Sequence, residues 1–119
     1  MGISKINKWE QAVVLLLNID GWDLKWTGEG FAHYDAAGKT PKGFDCVIEM
    51  KFRNKYYEDK MLEKYKYDAL MSLDESIIKL YFINDPKGNF IVQILQCGLK
   101  KDCLKMFIYS KKTKQVESI

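Results

Sequence analysis

An α/β domain with a mixed sheet is the fold class this sequence predicts, and three observations lead to it. Residues 4–18 place apolar side chains at helical spacing. Three short strand-like runs follow, the last being "FDCVIEMKFR" at residues 44–53, in which apolar and mostly charged positions alternate. Residues 57–73 return to helical spacing before two or three further strand-like runs. With 119 residues, 47% of them hydrophobic, the chain has room for one domain with a real core and not for two.

The first helix is expected to start near Ser4, a candidate cap, with Ile6, Trp9, Val13, Leu16 and Leu17 as its apolar stripe. Glu10 falls on that stripe. Asp20-Gly21 ends the helix, and a short strand is expected around Trp22 to Trp26, followed by a turn at Gly28-Glu29-Gly30. Phe31 to Asp35 is read as the second strand and the quoted run as the third, paired as a hairpin through a loop at 36–43. Met61, Leu62, Tyr65, Ala69 and Leu73 form the stripe of the second helix, with Lys60, Lys64 and Tyr67 along its flank. Strands are expected at Ile77 to Ile83 and Phe90 to Leu95, joined by the turn-forming residues 84–89, and again at Leu104 to Tyr109. The polar tail after Ser110 is expected to fray.

Composition narrows the function classes. The "VVLLL" segment is too short to span a membrane, and it lacks the flanks of a secretory signal. Cys46, Cys97 and Cys103 are odd in number and match neither a disulfide framework nor a zinc site, so a reducing cytoplasm is the expected compartment. The net charge is +3, and lysines cluster at 51–66 and 100–114, a distribution that suits a polyanion.

The charged side of the third strand carries Glu49-Met50-Lys51, an E-x-K. This motif, placed late in a third strand and before a helix, resembles the signature of the PD-(D/E)XK nuclease superfamily. The element order over residues 4–83 is similar to that superfamily's αβββαβ, restriction-endonuclease-like core. The resemblance implies a metal-dependent DNA endonuclease using Mg²⁺ or Mn²⁺, of the kind found among junction-resolving enzymes and small phage nucleases.

Geometry selects the partner aspartate. Asp45 shares a face with Glu49 but lies four residues away, roughly 13 Å along a strand, too far for both to hold one cation at bonds of about 2.1 Å. A hairpin centred near Lys42 instead puts Asp35 directly across from Glu49, with β-carbons about 5 Å apart. "HYD" at 33–35 then stands where the superfamily has its "PD", without the proline.

On this resemblance Asp35 and Glu49 would hold the metal, with the carbonyl of Met50 as third ligand. Lys51 would orient or deprotonate the attacking water. Glu10 matches a glutamate that junction-resolving members contribute from the first helix. Arg53 would clamp a phosphate, and Lys60 and Lys64 would contact the DNA backbone. His33, the only histidine, is left out of the metal site. A chain this short would act as a homodimer to cut two strands.

Each residue has a plainer reading. Glu49 and Lys51 could belong to a solvated strand face, Asp35 could start a turn, and Glu10 could mark the wet edge of its helix. Lys60 and Lys64 could pair with Glu58, Asp59 and Glu63 along the second helix. The competing function is therefore a nucleic-acid-binding or protein-interaction module that keeps the fold without catalysis.

Overall fold

The computed structural model of the chain describes residues 2–28, 30, 33–56, 62–95 and 107–110. Its elements are α1 (Ile3–Ile19), β1 (Asp23–Trp26), β2 (Ala36–Lys39), β3 (Asp45–Phe52), α2 (Lys64–Met71), β4 (Ile78–Asp85), β5 (Gly88–Gln93) and β6 (Phe107–Ser110). The first six follow the αβββαβ order read from the sequence. The strands lie side by side in chain order in one mixed sheet. Only β3 and β4 run parallel, because α2 carries the chain back between them; the remaining neighbours are antiparallel.

Each face of the sheet supports its own core. Val14 and Leu17 of α1 pack with Trp22, Leu24, Cys46, Ile48, Met50, Leu80 and Phe82 on one face. Leu62 and Leu70 from the α2 region pack with Val47, Tyr81, Ile83 and Val92 on the other. Side chains alternate along β3 and β4, so each strand feeds both cores in turn. This corrects the expectation of a half-buried β3: Val47 and Glu49 are as buried as Cys46 and Met50. A central strand with a helix on each side has no wet face to offer, and the charge at Glu49 is enclosed.

Several local expectations shift. Gly2, not Ser4, caps α1, and its carbonyl accepts the N–H groups of Lys5 and Ile6. The buried positions of α1 are Glu10, Val14 and Leu17, while Leu16 is exposed. The second strand lies at Ala36–Lys39 rather than Phe31 to Asp35; Phe31 and Ala32 fall outside the described residues. "AAGK" has the composition of a loop, yet Gly38 lets β2 close against β1, where a Cβ would collide with the Asp23 carbonyl. The hairpin loop contracts to residues around Pro41 to Phe44, closed by Thr40, whose N–H donates to the Phe44 carbonyl and whose hydroxyl accepts the Phe44 N–H.

The described part of α2 starts at Lys64; residues 57–61, with Lys60 and Met61 among them, lie outside the described residues. Leu70 is its buried residue and Tyr65 is exposed, so the helix sits in a different phase from the expected stripe. The β4–β5 turn tightens to Pro86-Lys87, with Asp85 paired to Gly88. Cys97, Cys103 and the tail after Ser110 lie outside the described residues. None of the described helices is long and apolar enough to cross a membrane.

Candidate active site

Asp35 sits immediately before β2. The last β2–β3 pair is Ala36 with Ile48, so one step further along the same register Asp35 faces Glu49. Two hydrogen bonds fix it there. Its N–H donates to the Ile48 carbonyl at 2.9 Å, and its Oδ2 accepts the Met50 N–H at 2.8 Å. Burial raises the Asp35 pKa, while the Met50 N–H and the charges of Lys66 and Lys51 pull against that rise.

Glu49 projects toward the α2 side and is 6% exposed. Burial, then the negative charge of Asp35, pushes its pKa up to about 7, despite an ion pair with Lys66 Nζ at 3.1 Å; Glu10 adds to the rise. Two carboxylates are thus held out of water within reach of each other's field, an arrangement that disfavours both charges unless a cation joins them.

Glu10 arrives from α1, across the end of β1. It is buried, and Trp26 donates its indole Nε1–H to Glu10 Oε1 at 2.9 Å. Burial raises its pKa; the Trp26 hydrogen bond lowers it, Asp35 raises it and Lys66 lowers it, which places Glu10 in the same field as the other two carboxylates. Gly28 makes room for this contact. A Cβ there would stand 2.7 Å from both Glu10 Oε1 and Trp26 Nε1.

The cations come from β3 and α2. Lys51 Nζ lies 3.4 Å from Glu63 Oε1, and Lys66 Nζ, besides its bond to Glu49, lies 3.7 Å from Glu63 Oε2. Burial pulls Lys66 down, but Glu49 and Glu63 outweigh it and the Lys66 pKa stands above its ordinary value. Asp35, Glu49 and Lys66 line a cleft of about 230 Å³ whose walls include His33, Tyr34 and Tyr65. A larger cleft of about 320 Å³, between α1 and the sheet, is walled by Trp9, Val13, Leu16, Phe52 and Phe82 and has no titratable group in its lining.

Of the residues singled out in the sequence, Glu10, Asp35, Glu49 and Lys51 come together, and Met50 contributes through its backbone N–H. Asp45 lies away from them, exposed and paired with Lys39 at 2.7 Å. The Arg53 side chain hydrogen-bonds Tyr81, whose strand position is the register partner of Glu49. Lys64 is exposed and pairs with Asp68 along the helix at 2.8 Å. Lys60 lies outside the described residues.

Lys66, Glu63, Trp26 and Gly28 were not among the site residues read from the sequence. Lys66 lies one turn before the buried Leu70 and so shares its face, a signal hidden by the wrong helical phase.

Asp35 and Glu49 supply oxygen ligands of the type a small divalent cation takes, and their mutual repulsion is what such an ion relieves. Among the described residues no three His, Cys, Asp or Glu side chains are grouped to hold a metal. Asp35 and Glu49 are accordingly the two carboxylates that could hold such an ion, a number compatible with Mg²⁺, which keeps several of its waters. No protein-family model matches the chain, and no curated protein matches it significantly.

Proposed function

We propose that this chain is a metal-dependent DNA endonuclease with the PD-(D/E)XK arrangement, acting on one phosphodiester bond per site. The observation that carries the reading is the opposition of Asp35, immediately before β2, and Glu49 on β3, with Lys51 two residues beyond Glu49. A structural ion pair would need one carboxylate for each cation. Here four carboxylates, Glu10, Asp35, Glu49 and Glu63, share two ammonium groups, Lys51 and Lys66, a surplus of acidic groups.

Asp35 and Glu49, with the Met50 carbonyl, would hold Mg²⁺ or Mn²⁺. When bound, the cation would polarise the scissile phosphate and lower the pKa of a coordinated water. Lys51, an ammonium paired with Glu63, would orient the attacking water and offset charge as the phosphorus gains its fifth oxygen. Glu10 adds a third, buried acidic group beside the pair, positioned by the Trp26 indole. Arg53, Lys60 and Lys64 would supply cationic contacts to the DNA backbone. A homodimer places two such sites on opposite strands.

The test is cleavage of labelled duplex, single-stranded, flap and four-way-junction DNA with Mg²⁺, Mn²⁺ or EDTA, beside Glu49→Gln. Metal-dependent cutting lost in the variant supports the nuclease and names its substrate. Salt-dependent binding without cutting of any DNA would replace it with the binding-module reading.

A further inference from the structure

Lys66 holds a place that the proposed metal chemistry does not require. Its ammonium lies 3.1 Å from Glu49 Oε1, and its side chain is only 25% exposed. Among the described residues it is the one cation within ion-pair distance of the carboxylate offered as a metal ligand. Nearby is a second seat. Glu63 Oε2 is buried and has no hydrogen-bond partner among the described residues, yet it lies 3.7 Å from the same ammonium. Glu63 and Lys66 are three residues apart at the start of α2, so a rotamer change carries the ammonium from one carboxylate toward the other without moving the helix.

We infer that Lys66 is a built-in counter-ion for Glu49 that competes with the divalent cation, and that it withdraws to Glu63 when the cation binds. The inference rests on the metal-site reading above. A positive charge fixed at the ligand opposes a second positive charge arriving there, and burial strengthens the opposition by lowering the local dielectric. In the empty site Lys66 keeps Glu49 from standing as an uncompensated buried charge. Lys66 is a positioning residue, since it acts through Glu49 and not on the phosphate.

The test is Mn²⁺ binding by calorimetry to the parent chain, Lys66→Gln and Lys66→Arg, with folding checked by circular dichroism. Lys66→Gln should bind Mn²⁺ roughly tenfold more tightly and Lys66→Arg about as the parent does, because arginine keeps the charge. A merely structural lysine would give the opposite sign, with weaker binding in Lys66→Gln.

A second measurement needs no variant. Lys66 of the parent chain should become more reactive toward reductive methylation, read residue by residue by mass spectrometry, once Mn²⁺ saturates the site. Unchanged or weaker Mn²⁺ binding in a folded Lys66→Gln, or unchanged Lys66 reactivity, overturns the counter-ion role and leaves the nuclease reading standing. Absence of Mn²⁺ binding in the parent chain overturns both.

Discussion

Asp35 is held on both sides of Glu49: its N–H donates to the carbonyl of Ile48 and its carboxylate accepts the N–H of Met50. The two residues that flank Glu49 therefore fix the aspartate that faces it. The Asp35 carboxylate is part of the hydrogen bonding to the β3 backbone, so its position follows the sheet rather than a free rotamer, while Lys66 holds the Glu49 carboxylate.

Asp35→Asn keeps an oxygen that can accept the Met50 N–H and removes the charge. The variant should fold as the parent does and lose metal-dependent cleavage. Asp35→Ala also leaves the Met50 N–H unmatched and should cost about 1–3 kcal/mol of stability in urea titrations. Equal cleavage by Asp35→Asn and the parent would remove Asp35 from the site.

Glu49→Gln should abolish cleavage and change how stability depends on pH. The Glu49 pKa is about 7 in the folded chain against an ordinary 4.5, so the native state holds that proton more tightly than the unfolded state does. The contribution of Glu49 to stability without metal is then fully present below the ordinary pKa and is lost as pH rises through the interval up to the folded value. Urea midpoints at about pH 5 and about pH 8 should converge in the variant, with a gain on the order of 1–3 kcal/mol over the parent at the higher pH.

Lys51→Ala should abolish cleavage at small structural cost. Its pairing with Glu63 spans 3.4 Å between half-exposed side chains, the class of ion pair worth at most about 1 kcal/mol. Thermal unfolding within a few degrees of the parent, together with lost cutting, is the expected combination. Retained cutting would sink the catalytic assignment.

Gly28→Ala tests the support of Glu10. The added methyl would press on the carboxylate oxygen and indole nitrogen that bond one another, so either the hydrogen bond opens or the turn shifts. A loss of about 1–3 kcal/mol is expected from this overpacking, with a drop in cleavage. An unperturbed Trp26 indole resonance by NMR would show that the crowding is relieved elsewhere.

Asp45→Asn is the control. Asp45 pairs with Lys39 at the exposed start of β3, away from the carboxylate group. Cleavage should continue at the parent rate, with stability changed by less than about 1 kcal/mol.

The sequence by itself determined the element order and the strand pairing that matters most. Periodicity separated helices from strands, and the E-x-K on β3 with a hairpin near Lys42 placed Asp35 opposite Glu49. It also excluded Asp45, because strand rise is fixed by covalent geometry. Tertiary structure decided the rest. β2 lies at Ala36–Lys39 although "AAGK" has little strand propensity, since pairing on both sides and the close approach at Gly38 outweigh local preference. The enclosure of Glu49 came from helices on both faces of the sheet, which alternation along one strand does not reveal. Lys66 became visible only once Leu70 set the phase of α2, because a short helix with several apolar residues admits more than one inward face and packing chooses between them.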